Sequence, residues 1–147
     1  MRLSLQAQYA ICGIFDLAYH GDGGPVQVRV IGERQHIPAR YLEQIFQRLR
    51  RAKLVRGKRG PGGGYTLARA PREITLRDVI EAVEGPLDRI LAGALPGEAA
   101  ARPGFLWPRL AAGLGEALAG LDLETLCRDA SRLAVPRASA ESPMYHI

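Results

Sequence analysis

The sequence predicts a mainly α-helical fold carrying one small β-hairpin and continued by a long C-terminal helix. Three observations support this. Leu42, Ile45, Phe46 and Leu49 fall at i, i+3, i+4 and i+7, the register of a single buried helical stripe. Two short strand-like runs, residues 54–56 and 65–68, flank Gly57-Lys58-Arg59-Gly60-Pro61-Gly62-Gly63-Gly64, in which five of eight residues are glycine. Leu106, Leu110, Leu114 and Leu118 then recur every four residues, with Ala111, Ala117 and Leu121 widening the stripe.

Each element carries its own punctuation. Ser4 is an N-cap for a first helix over 5–20, where Leu3, Ala10, Ile14, Leu17 and Ala18 keep helical spacing. Gly21-Asp22-Gly23-Gly24-Pro25 forces a break. A second helix over 28–34 leads through Gln35-His36-Ile37-Pro38 into a third over 39–52, and Pro38 fits where a missing N–H costs nothing. Thr75 and Asp78 have capping-box spacing for a fourth helix over 76–84, which Gly85-Pro86 ends. Residues 86–104, rich in Ala, Gly, Leu and Pro, show no clear pattern. The long helix has no companion of comparable length in the chain, so the simplest cover for its apolar face is the same helix of a second copy. Asp122 caps a short last helix over 123–132, and a poorly ordered tail is expected over 133–147.

Composition excludes several classes. With 47% hydrophobic and 24% charged residues, the 147-residue chain is globular rather than disordered. No apolar run approaches the roughly 20 residues that span a bilayer. Met1-Arg2-Leu3-Ser4 does not open a secretory signal, so a cytoplasmic protein without a membrane partner is expected. Cys12 and Cys127 are too distant in sequence to form a C-x-x-C zinc or redox motif, and two cysteines make no disulfide framework. No nucleophile–base pair, metal-ligand spacing or Walker loop supports an enzyme, since no Lys-Ser/Thr follows Gly64.

The net charge of +5 is uneven: residues 1–84 hold 14 Lys/Arg against 8 Asp/Glu, and residues 85–147 hold 6 against 7. Arg48, Arg50, Arg51, Lys53, Arg56, Lys58 and Arg59 crowd into twelve residues without an acid among them. A solvated face accounts for such a run, and so does a polyanion that relieves the repulsion. Its position favours the polyanion. Helix, short helix, turn, helix, hairpin is the order of a winged helix-turn-helix, and the basic run falls on its third helix and its hairpin. The third helix of such a fold enters the DNA major groove, and the hairpin, or wing, meets the backbone or minor groove. The wing glycines leave backbone N–H groups open to phosphate, and Arg59 suits a narrow minor groove. Gln44 suits an adenine edge and Arg40 a guanine or a phosphate. Glu43 accepts from a cytosine amino group or repels wrong sequences. Tyr41 either joins that surface or packs at the helix start. The competing class is an interaction module whose basic face docks an acidic protein.

Longer strings carry a resemblance. Met1-Arg2-Leu3-Ser4 with Tyr9-Ala10, Tyr41-Leu42-Glu43-Gln44, and Arg59-Gly60-Pro61-Gly62-Gly63-Gly64-Tyr65 with Leu67-Ala68 are three of them. Ile74-Thr75-Leu76 with Val79-Ile80-Glu81-Ala82-Val83, and Leu106-Trp107, extend the set. Together they resemble the Rrf2 family of transcription factors, closely over residues 1–85 and more loosely over 105–130. The resemblance implies a homodimeric regulator, by preference a repressor, on palindromic double-stranded DNA. It divides the chain into a DNA-binding domain (1–85), a sensor-type loop (86–104), a dimerisation helix with a short last helix (105–132) and a tail (133–147). It implies that Ala39, Arg40, Tyr41, Glu43 and Gln44 face the major groove and that Arg59, Gly60, Pro61 and Gly62 make the wing contact. The charge run adds Arg48, Arg51 and Lys58.

Cluster-binding members of that family carry three closely spaced cysteines before the long helix. Residues 86–126 here hold neither cysteine nor histidine, so an iron–sulfur cluster lacks its thiolates and no cofactor is expected. The effector is left open. Cys12 shares a helix face with Gln8, Asp16 and His20. Its readings are a small buried residue, a redox thiol, or a metal ligand, although His20 lies about 12 Å along the axis from it. Trp107 with Phe105 either lines a pocket for an organic effector or packs at the dimer core or helix start.

Overall fold

The computed structural model describes residues 2–92 and 95–138. The chain runs through α1 (Leu5–His20), α2 (Val28–Gln35), α3 (Ala39–Arg51), β1 (Val55–Lys58), β2 (Gly64–Leu67), a 3₁₀ turn (Pro71–Glu73), α4 (Leu76–Glu84), α5 (Leu87–Ala92), α6 (Leu106–Ala119) and α7 (Leu123–Arg132). This is the helical, winged architecture that the sequence predicts.

Local caps set the helix starts. Ser4 Oγ accepts the Ala7 N–H at 3.0 Å, and Asp122 Oδ1 accepts that of Thr125 at 2.8 Å. Thr75 and Asp78 close a reciprocal capping box at 3.2 and 3.0 Å. His36 ends α2 in the left-handed region, with φ 55°, and is exposed.

The hairpin is longer than its apolar residues alone imply. Val55 faces Leu67, and Lys58 faces Gly64, so glycine enters the ladder itself. A third short segment joins it: Val26 and Tyr65 exchange N–H···O bonds of 2.9 and 2.8 Å. That approach requires glycine next to Tyr65. A Cβ on Gly64, whose φ is 145°, would stand 2.5 Å from the backbone of Val26.

One core joins the N-terminal helices to the end of the chain. Ala10, Ile14, Ile31, Leu42, Phe46, Leu49, Leu54, Ile74, Val79 and Leu123 pack together. A smaller cluster of Ile80, Leu87 and Ala111 lies beneath α6. Its Leu87 comes from α5, an element that the sequence pattern did not announce. The connection into α7 is stitched to the start of α4, with Leu76 N–H on Leu121 O at 2.8 Å and Leu123 N–H on Ile74 O at 2.9 Å.

Asp16 is the one fully buried charged side chain among the described residues. Arg34 approaches it with Nε at 3.1 Å and Nη2 at 2.7 Å, and Gln35 Nε2 donates at 2.9 Å. This pins α2 to α1. The first residues of the expected tail lie against α1. Tyr19 Oη donates to Val135 O at 2.7 Å, the Ala138 N–H donates to His20 Nδ1 at 2.8 Å, and the Arg137 guanidinium covers the Tyr19 ring at 4.5 Å. Residues 139–147 of that tail lie outside the described residues.

Candidate nucleic-acid interface

The phase of α3 sorts its residues. At 100° per residue, Leu42, Ile45, Phe46 and Leu49 point inward, while Arg40, Gln44, Gln47 and Arg51 form an exposed crown. Glu43 and Arg50 flank the crown on the hairpin side, and Tyr41 and Arg48 flank it on the α1 side.

Between α2, α3 and the hairpin lies a polar cleft of about 620 Å³. Arg29, Arg50, Lys58 and Arg59 line it together with Gln27, Gln47 and one carboxylate, Glu43. Tyr65 fixes its floor by packing on Phe46, with ring centroids 5.0 Å apart. Burial, aided by the charge of Glu43 and opposed by Arg50, raises the Tyr65 pKa, so its hydroxyl stays a neutral donor. At the wing tip, Gly60 and Gly62 hold φ of 89° and 73°. The exposed backbone of Gly60, Pro61 and Gly62 therefore follows from the turn itself.

The residues singled out from sequence separate into groups. Arg40, Tyr41, Glu43, Gln44, Arg51, Lys58, Arg59, Gly60, Pro61 and Gly62 are exposed, and Ala39 is half-buried at the start of α3. Arg40 lies over the Tyr41 ring at 4.9 Å and donates to its hydroxyl at 3.3 Å. Arg48 is seated differently. It is half-buried and donates through Nη1 to the Val83 carbonyl at 3.3 Å, so it is tied to the end of α4. Gln47 was not singled out, Arg50 only as a member of the basic run, and Arg29 not at all, yet all three line the cleft. The 43, 47, 50 spacing was available as a signal for the first two. Nothing local announces Arg29, because it reaches the cleft only through the Val26–Tyr65 pairing.

The sensor candidates differ in exposure. Cys12 is half-buried against the main core, and burial raises its thiol pKa. Burial also raises that of Cys127, with Arg137 opposing. Among the described residues, no three His, Cys, Asp or Glu side chains gather as metal ligands. Trp107 is half-buried and Phe105 is 76% exposed at the start of α6. No described helix is long and apolar enough to cross a membrane.

A helix with an exposed polar crown, a basic cleft beside it and a glycine-tipped hairpin define a winged-helix DNA-binding protein. The family profile described as Rrf2, iron-dependent transcriptional regulator, matches residues 3–129. The chain belongs to that family and is a DNA-binding transcriptional regulator, not an enzyme. It is 39% identical over 135 residues to the transcriptional regulator IscR of Photobacterium profundum, a match spanning 88% of this chain and 77% of that one. Against IscR of Pectobacterium carotovorum it is 47% identical over 88 residues, 60% of this chain and 54% of the relative, about half its length. Among solved structures, T. potens IscR superposes with a TM-score of 0.73 at 33% identity, covering 99% and 96% of the two chains. CymR, the global cysteine regulator of B. subtilis, gives 0.72 at 32%, covering 87% and 97%. For the iron in the family description, the described residues gather no three His, Cys, Asp or Glu side chains. The two cysteines sit half-buried on α1 and α7, and residues 86–126 supply no thiolate or imidazole.

Proposed function

We propose that the protein is a homodimeric regulator, acting as a repressor in the cytoplasm, that grips a palindromic operator with one α3 in the major groove of each half-site. Ala39, Arg40, Tyr41, Glu43, Gln44 and Arg51 would face the bases and flanking phosphates. Lys58, Arg59, Gly60, Pro61 and Gly62 would hold the backbone or minor groove. The observation that carries the reading is the cleft beside α3, where Arg29, Arg50, Lys58 and Arg59 converge on exposed glycine backbone. Gln47 and Arg50 join the contact set from this cleft, whereas Arg48 supports it from behind through Val83. Dimerisation is supported by α6 and its two ends, where Phe105, Leu110 and Leu121 are 76%, 45% and 38% exposed and Gly113 and Ala117 are exposed as well.

Thiol sensing at Cys12 is the less favoured account of regulation. The thiolate is the form that oxidises, and the burial of Cys12 works against it. A packing role suits this cysteine, leaving a small molecule or a partner protein as the effector.

The test is to purify the full chain, measure its mass in solution, and sequence the genomic fragments it retains. A dimer that retains fragments sharing an inverted repeat is expected. A monomer, or a protein that ignores duplex DNA at low ionic strength, overturns the proposal.

A further inference from the structure

A second cleft, of about 490 Å³, opens on the other flank of α3, between that helix and the start of α1. Its character is unlike that of the wing cleft. The walls are mostly Leu5, Ile45 and the rings of Tyr9 and Tyr41, whose centroids are 6.5 Å apart with 30° between their planes, with Gln6 and Gln44 beside them. Leu5 is 60% exposed and Tyr41 44%, so the slot leaves apolar surface in water.

Arg48 also lines this slot. It is half-buried, gives one N–H to Val83 O, and among the described residues pairs with no Asp or Glu. Arg34 shows the contrast: also half-buried, it is paired with the Asp16 carboxylate. A partly desolvated guanidinium with four N–H groups to spare, beside two aromatic faces, is a site for an anion with a flat apolar body. A phosphodiester strand suits the slot poorly, because it would bring charge against apolar walls. The wing cleft, with its several cations, meets that need instead.

We propose that this slot binds a small aromatic carboxylate, its ring against Tyr9, Tyr41 and Leu5 and its carboxylate on Arg48, and that occupancy opposes DNA binding. The binding half stands on the slot alone. The regulatory half rests on reading Tyr41 and Gln44 as groove-facing, since a ligand there would cover both.

The test uses the full chain without DNA and three probes followed by calorimetry: 2-naphthoate, its neutral isostere 2-naphthamide, and inorganic phosphate. The naphthoate should bind, the amide should bind about tenfold or more weakly, and phosphate should give no comparable heat. Arg48→Met should weaken the naphthoate about tenfold or more and leave the amide unchanged. Leu5→Trp, at an exposed position, should block the slot without involving Arg48, and circular dichroism should show both variants folded. The binding claim is overturned if naphthoate fails to bind, if naphthoate and amide bind alike, or if phosphate matches the naphthoate and needs Arg48, which would make this a backbone-phosphate seat. Saturating naphthoate should then raise the protein concentration that half-saturates a retained DNA fragment by about tenfold. If naphthoate binds and DNA affinity does not move, the regulatory half fails. If the wild-type chain ignores DNA altogether, the proposed function fails while the calorimetric result stands.

Discussion

Arg59→Ala offers the sharpest measurement of the wing, because its effect is a slope as well as an affinity. Arg59 follows β1 on the exposed tip of the hairpin, next to Gly60 and Gly62 at positive φ, and its removal touches no core residue. Each phosphate that a cation neutralises contributes about 0.9 to the log–log dependence of affinity on salt. A dimer carrying the substitution in both wings should therefore lose about 1.8 from that slope. Counted from 1 M salt, each lost contact is worth a factor of about 8 at 0.1 M, and the pair about 60. Fluorescence anisotropy of a labelled operator fragment, titrated from about 50 to about 300 mM KCl, reads both quantities. Gln44→Ala is the control: it should relax preference at one base pair per half-site and leave the slope where it was. An unchanged slope for Arg59→Ala would remove the wing from the DNA interface. A loss near 0.9 would mean that one wing, not two, touches the duplex.

Two further outcomes concern the frame that holds α3. Asp16→Ala leaves Arg34, whose side chain is 16% exposed, without its counter-charge and Gln35 without its acceptor. Breaking a buried pair in this way should lower the unfolding free energy by about 3–5 kcal/mol in urea titrations, and a loss under about 1 kcal/mol would show that the site is effectively wet. The pKa of His20 is lowered by burial, which the Asp16 charge opposes and Arg34 and Arg137 reinforce. The folded chain thus holds a neutral ring that accepts the Ala138 N–H, and the unfolded chain takes up the proton first. Its contribution is present above the usual histidine value of 6.5 and is lost as pH falls through the lower folded value. The melting temperature should drop over that acid window, and drop less in His20→Gln. Identical profiles for the two proteins would show that His20 is not the group responsible.

Helix starts were legible because caps are written within a few residues. Ser4, the Thr75–Asp78 pair and Asp122 each satisfy the first turn of their own helix, and α1, α4 and α7 begin where those residues stand. The crown of α3 was legible for the same kind of reason, since a period of 3.6 needs no knowledge of neighbours. The division of its flanks was not. Arg48 and Arg50 are both arginines in one basic run, yet one bonds the end of α4 and the other lines the wing cleft. Which flank meets which neighbour depends on packing between segments far apart in sequence. The seat of Arg29, the pairing of Val26 with Tyr65, and the burial of Leu87 under α6 are of that non-local kind. So is the arginine partner of Asp16: helical spacing grouped this residue with Cys12 and His20, and the fold keeps His20 Nε2 3.6 Å from its carboxylate but adds Arg34 from α2.

The same arrangement bears on where a signal can enter. In this chain residues 86–105, before α6, hold no cysteine. Yet α3 is a single rigid helix whose inward face is locked by Leu42, Phe46 and Leu49, each fully buried. A ligand cannot readily tilt such a helix against that packing. It can far more easily change what the outward face presents. The apolar slot shares Tyr41 and Gln44 with the surface proposed to face the groove, so an occupant would cover side chains of that proposed surface. Coupling of that kind needs no relay through the core, and it predicts that substitutions filling the slot weaken DNA binding even when no ligand is present.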